Sequence, residues 1–422
     1  MFILRSLQAA KFDALVKVVI QTNPFYTQKL NAAGFTRGQP PKLIDIDDIP
    51  YTTKQEFATD QETNPPFGTN LSFPPEHYSR MHQTSGTTGR PLYWLDTIDS
   101  WDWWLGCWME IYEAACVTAD DRVFVAFSFG PFIGFWTAFE AGERLGALML
   151  SGGGLSSKQR LETMRELQAT VLICTPTYAL RLAEVARQEG IALTDIPIRV
   201  SIHAGEPGAS IPNVRTRIET AWGAPCVDHA GATEIGAWGY SCGVDNHMHI
   251  NEAEFVAEVI DPHTLEPGTI SDGAQRGELV LTNLGRVGSP VIRYRTGDLV
   301  ELLRTPCECG RSTAHLRGGV LGRIDDMMVV RGINVFPTAL ENIVREFDEI
   351  DEFEVAVRQT AQMADLQIRI EVTAENPGLV RDELGRRVHD KLNLKPSVEL
   401  VEQQTLPRYE LKAHRFKTEK QE

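Results

Sequence analysis

Between residues 123 and 223, short apolar runs alternate with amphipathic helical patterns, and this alternation limits the chain more than any other feature. VFVAF (123–127), TVLIC (170–174) and RVSIHAG (199–205) are apolar throughout, as strands buried on both faces are. SKQRLETMRELQA (157–169), YALRLAEVARQEG (178–190) and PNVRTRIETAWG (212–223) have helical spacing, and Gly190 is placed to stop the second. Strands joined through helices return in the same direction. The middle of the chain therefore predicts an α/β fold with a mostly parallel sheet.

From about residue 240 the pattern changes. EFVAEVI (254–260) and GELVLTNL (277–284) alternate as antiparallel strands do, forming a β-subdomain. After Arg323 comes a second change, to helix TALENIVREFD (338–348), strands EFEVAVR (352–358) and LQIRIEV (366–372), helix GLVRDELGRRVHDKL (378–392) and strand SVELV (397–401). A large unit, 1–322, joined by a hinge to a small α+β unit, 323–422, is the expected division of 422 residues.

Composition removes several classes. Hydrophobic residues at 42% with 23% charged describe a folded chain. A net charge of −16, spread along the sequence, excludes the basic face that a nucleic acid needs. The uncharged stretch Val123–Phe139 contains Gly130, Pro131 and Gly134 and falls short of the roughly 20 residues of a membrane span. The start, MFILRSLQAAKFDALVKVV, reads as an amphipathic helix without a signal-peptide pattern. Seven irregularly spaced cysteines argue for a reducing, cytoplasmic setting over a disulfide framework.

QTSGTTGRP (83–91) could not form a core. Gly86 and Gly89 let the backbone wrap a ligand, and successive N–H groups in such a turn make an anion nest. Thr84, Ser85, Thr87 and Thr88 add hydroxyls, and Arg90 adds a planar cation suited to phosphate. A polar surface loop is the plain alternative. The stretch is not a Walker A loop, for it lacks the Gly-Lys-Ser/Thr ending.

TSGTTGRP resembles the phosphate-binding loop of the acyl-adenylate-forming (AMP-binding) superfamily, and further motifs follow in that family's order. AGEP (204–207: Gly205, Glu206, Pro207) resembles the adenine segment, DHAGATE (228–234) the Thr-Glu motif, and YRTGDL (294–299) the ribose motif. GRIDDMMVVRGINVFP (322–337) resembles the hinge, and LPRYELKA (406–413) the catalytic-lysine motif. NPFYTQKLNAAGF, PYTTKQEF (50–57), TPTYALRLAEV (175–185), SPVIRYRTGDL (289–299) and CECGR are similar to the phenylacetate-CoA ligase branch.

The resemblance implies roles. Glu234 would hold Mg²⁺ against ATP phosphates, Thr233 would reach the α-phosphate, and Asp228, His229 and Ala230 would adjoin the adenine. Asp298 and Arg323 would hold the ribose, Asp325 would be the hinge, and Lys412 would bridge carboxylate and α-phosphate. Each alone has an ordinary reading, as turn, helix-end acid or surface cation. Ala230 departs from the aromatic residue that usually stacks on adenine. Cys242, His249, Cys307 and Cys309 are the zinc ligands implied, with His247 a rival for the imidazole.

The stripe Trp101, Trp104, Trp108 and Tyr112 reads as core, whereas SFGPFIGF (128–135) lies where this branch builds its acyl pocket. The implied activity is ATP-dependent ligation of a carboxylic acid, of aromatic, phenylacetate-like type, to coenzyme A, with a homodimer as the family expectation. Two rivals differ: an adenylating enzyme that hands the acyl group to a carrier protein or amine, and a catalytically silent nucleotide-binding homologue.

Overall fold

Along strand Arg122–Val125 the side chains divide between two cores, Val123 and Val125 to one side and Phe124 to the other. Strand Val171–Cys174 divides likewise, with Val171 and Ile173 opposite Leu172 and Cys174. Both faces are covered, so neither can be polar. The computed structural model describes residues 2–84, 90–244, 247–331, 333–359, 364–409 and 412–420.

Five parallel strands lie in the order Leu148–Ser151, Arg122–Val125, Val171–Cys174, Val200–His203 and Cys226–Ala232. Helices Trp136–Leu145, Ser157–Glu166, Pro176–Glu189 and Pro212–Trp222 make the crossovers that parallel pairing requires. Gly190 does end its helix, with φ at 66°.

Cys226–Ala232 is the pivot of the sheet: parallel to Val200–His203 on one edge, antiparallel to Gly236–Ser241 on the other. Beyond it run His247–Ile250, His315–Arg317, Tyr294–Leu303, Ala274–Asn283 and Phe255–Ile260, all antiparallel. The sheet is thus mixed. Parallel pairing holds as far as the Cys226 strand, after which hairpin connections reverse the chain.

Helix Phe2–Thr22 buries Phe12, Leu15, Val16, Val19 and Ile20 against the larger core. The aromatic stripe is core as expected, with Trp101, Trp104, Trp108 and Tyr112 buried on helix Ile98–Ala114. Among the described residues no helix is long and apolar enough to cross a membrane.

The C-terminal part has its own core. Sheet order Ser397–Val401, Ala364–Val372, Ile350–Gln359, Phe416–Lys420 is packed with helices Pro337–Val344 and Pro377–Leu392 through Leu340, Phe353, Ile368 and Leu384. Its contacts with the larger part are polar: Asn213 with Asn342 at 2.9 Å, Arg187 with Asp351 at 3.3 Å, and Arg415 with Thr177 Oγ1 at 3.2 Å. Polar interfaces of this kind suit parts that reorient.

Candidate active site

The carboxyl ends of the parallel strands open onto one edge, where ligands of open α/β sheets bind. There stand Thr175 after Val171–Cys174, Gly205 after Val200–His203, and Asp228 within the last parallel strand, in register with His203. The root of the 83–91 loop is pinned: Thr84 donates its N–H to the Leu92 carbonyl at 2.9 Å and accepts from Leu92 N–H on Oγ1 at 3.0 Å. Ser85, Gly86, Thr87, Thr88 and Gly89 lie outside the described residues, and Arg90 is exposed.

Asp228 is buried, its Oδ2 accepting the Ser210 hydroxyl and its N–H donating to Ser241 Oγ at 2.8 Å. Burial raises its pKa to about 7, against the pull of Ser210. His229 is buried beside Trp108, and Ala230 lies opposite Gly239 on the neighbouring strand.

Past Ala232, where the strand ends, the chain turns into Thr233 and Glu234. The Thr233 carbonyl accepts from Arg286 Nη1 at 2.6 Å, and Glu234 Oε1 accepts the Tyr294 hydroxyl at 3.0 Å. Arg286 is itself wholly buried and bidentate on Asp96, at 2.7 Å for each bond. Its guanidinium stacks 4.6 Å from the Trp104 ring.

Asp298 pairs in register with Arg323, whose Nη1 reaches Asp298 Oδ1 at 3.2 Å. The other edge of the guanidinium holds both oxygens of Asp325 at 2.9 Å. Gly297 makes this approach feasible: its φ is +75°, and a Cβ there would lie 3.0 Å from Arg323 Nη2. Burial lifts the Asp298 pKa to about 6, with Arg323 opposing.

Lys412, although on the C-terminal part, belongs to this group. A Cβ on Gly205 would lie 3.8 Å from Lys412 Cε. Ala413, the next residue, donates its N–H to Glu206 Oε2 at 2.8 Å, while Glu206 Oε1 accepts from Thr177 N–H at 2.9 Å. Desolvation lowers the Lys412 pKa, Arg323 and Lys54 adding to it while Glu206 and Glu234 oppose it. Pro207 is exposed beside this clamp.

The structure thus gathers Gly205, Glu206, Glu234, Asp298, Arg323 and Lys412. Sequence reasoning had passed over Lys54, although it stands in the PYTTKQEF stretch. It had also passed over Tyr294, within YRTGDL, and over Asp96 and Arg286, which no local pattern marks because they are 190 residues apart.

A second cluster lies in the antiparallel half. Cys242, His249, Cys307 and Cys309 bring their ligand atoms within 4.8 Å of one another. Cys242 and Cys307 sulfurs are 3.9 Å apart, and Cys309 Sγ is 3.3 Å from His249 Nε2. Tetrahedral bonds of about 2.3 Å from sulfur to zinc put sulfurs about 3.8 Å apart, so the set fits that ion. His249 donates or accepts at Nδ1 with Thr313 Oγ1, 3.0 Å away, which orients the ring. His247 lies outside the cluster and stacks on His315 at 4.8 Å.

Fold and site define an adenylate-forming enzyme, and residues 332–420 match the family described as the AMP-binding enzyme C-terminal domain. Phenylacetate-coenzyme A ligase of Escherichia coli (strain K12) is 30% identical over 98% of this chain and 94% of that protein. The ligase of that name from Thermus thermophilus is 31% identical over 88% of this chain and 82% of its own. A solved 2-hydroxyisobutyryl-CoA ligase in its postadenylation state superposes with TM-score 0.90 at 28% identity, covering 97% of this chain and 88% of that one. Its thioesterification state, at 29% identity over 99% and 89%, gives 0.72. The chain belongs to the phenylacetate-coenzyme A ligase family and is an AMP-forming acid–thiol ligase.

Proposed function

We propose that this enzyme activates an aromatic, phenylacetate-like acid with ATP and passes it to CoA. A carboxylate oxygen of the acid attacks the α-phosphorus in line, pyrophosphate leaves, and the acyl adenylate stays bound. The CoA thiol then gives up its proton and attacks the acyl carbonyl, and AMP leaves.

The observation that carries this reading is the position of Lys412, clamped through Ala413 to Glu206 in the space shared with Glu234. A point cation there would meet the acid's carboxylate and the α-phosphate together, lowering their repulsion. Asp298 and Arg323 would take the ribose, and Thr233 the α-phosphate. Ser85 to Gly89 with Thr84 and Arg90 would cradle the outer phosphates.

Glu234 suits Mg²⁺, since Oε2 makes no hydrogen bond among the described residues. The cation would neutralise phosphate charge. Zinc at Cys242, His249, Cys307 and Cys309 would be structural, tying two strands to the 307–309 turn. The acid would lie against Phe127, Phe129, Phe135 and Trp136, where Phe129 and Trp136 ring centroids are 4.5 Å apart.

The chain would work as two parts, 1–322 and 323–422, turning at Asp325 between half-reactions. The better superposition on the postadenylation state supports an orientation with Lys412 in the site. Unpaired cysteines suit a reducing cytoplasm, and a homodimer is the assembly expected.

The test is pyrophosphate release from ATP with a panel of acids headed by phenylacetate, followed by loss of free CoA thiol. Release with thiol loss supports the ligase. Release without it points to a carrier-protein or amine acceptor, and no release from any acid sinks the reading.

A further inference from the structure

His229 Nδ1 lies 2.9 Å from the Gly239 carbonyl oxygen. A carbonyl only accepts, so Nδ1 carries the proton. Burial against Trp108, with ring centroids 4.6 Å apart, disfavours the imidazolium and lowers the pKa to about 4. The ring is therefore neutral near pH 7, and its second nitrogen has a lone pair. Nε2 makes no hydrogen bond among the described residues, although the side chain is buried.

That lone pair faces the end of the strand. A Cβ on Gly231 would lie 3.1 Å from Nε2, and Gly231 is exposed where the chain turns toward Thr233 and Glu234. The ring packs on Trp108, which contacts Phe135, which contacts Phe127, so ring contacts link His229 to the side chains proposed above to hold the acid. Among these side chains only His229 offers a hydrogen-bond acceptor, since Phe has no polar atom and the Trp indole only donates. An acid of pure hydrocarbon would cover that acceptor and leave it unsatisfied, which disfavours binding.

We propose that His229 Nε2 accepts a hydrogen bond from a hydroxyl or amino group on the acyl part of the substrate. The preferred acid is then a donor-bearing relative of phenylacetate or of a short branched acid. This inference rests on the ligase reading and narrows it from acids in general to one class.

The test measures pyrophosphate release by the full chain with matched acids: phenylacetate against mandelate and the three ring-hydroxylated phenylacetates, isobutyrate against 2-hydroxyisobutyrate, and each with its amino counterpart. At least one donor-bearing acid should exceed its partner about tenfold or more in kcat/KM, and the hydroxyl and amino arms show which donor is used. His229→Leu should erase that preference, bringing the kcat/KM ratio of the donor-bearing acid to its partner to about one, and the KM for ATP measured alongside separates this from any effect on the nucleotide. His229→Asn, which keeps an acceptor, should restore part of it. Equal kcat/KM within every pair for the unaltered protein overturns the inference, whatever the variants do. So does an unchanged ratio in a folded His229→Leu protein. Release from no acid at all overturns the ligase reading, and this inference with it.

Discussion

Ala413 donates its backbone N–H to Glu206 Oε2 at 2.8 Å, a bond that ties the segment carrying Lys412 to the larger part of the chain. The same carboxylate accepts from Thr177 N–H at 2.9 Å, so Glu206 joins the first turn of a crossover helix to the Lys412 loop. A residue expected only to adjoin adenine is a latch between the two parts of the chain.

Glu206→Gln keeps one acceptor and removes the charge, so the latch weakens. Bonds to charged groups contribute about 1.5–3 kcal/mol, which sets an expected slowing of adenylation of about 10- to 100-fold. Thioester formation from a pre-made acyl adenylate should change little, because on the proposed reorientation Ala413 would have left Glu206 by then. Single-turnover kinetics of each half-reaction checks this, and equal slowing of both contradicts the latch.

Lys412→Ala should slow adenylation by about 10²–10³-fold and leave the second half-reaction nearly intact. In the proposed role the lysine would act as a cation, so its contribution would be full below its pKa and lost as pH rises through it. Desolvation first, then Arg323 and Lys54, set that pKa below the usual lysine range, while Glu206 and Glu234 hold it up. Adenylation should therefore fall on an alkaline limb that lies below the pH at which an ordinary lysine titrates. Glu206→Gln should move the limb to lower pH. A pH–rate profile of pyrophosphate release, with no shift in that variant, would count against the assignment.

Purified protein should carry about one zinc per chain. Cys307→Ser combined with Cys309→Ser should remove it and lower the melting temperature, while residual folded protein keeps both half-reactions. Elemental analysis finding no zinc in protein prepared without chelator refutes the site.

Arg286→Met strands the Asp96 carboxylate in a site where neither side chain is exposed. Breaking a buried pair from one side costs about 3–5 kcal/mol, so urea unfolding should show a loss of that size. Arg286→Met with Asp96→Asn should recover much of it. Activity in the double variant should stay reduced, since the Thr233 carbonyl has lost its donor.

Much of this was legible in the chain. Continuous apolar runs identified the parallel strands because two-sided burial leaves no polar face, and ordered motifs marked Glu234, Asp298, Arg323 and Lys412. The Cys–His set came from the family resemblance, since two cysteines at 307 and 309 are a weak signal alone, and the fold brings the four ligand atoms within 4.8 Å of one another.

The features legible from the residues are local: the periodicity of each element, the turn glycines, and the residue types able to hold phosphate, ribose or metal. Tertiary structure decided the rest. Asp96 meets Arg286 and Glu206 meets Ala413 because packing brings together segments 190 and 207 residues apart, while His229 has one nitrogen bound to the next strand and the other without a partner among the described residues. Burial then set the protonation of Asp228 and His229. A side chain's type is written in the chain, but its charge and its partners depend on how much water the fold removes around it.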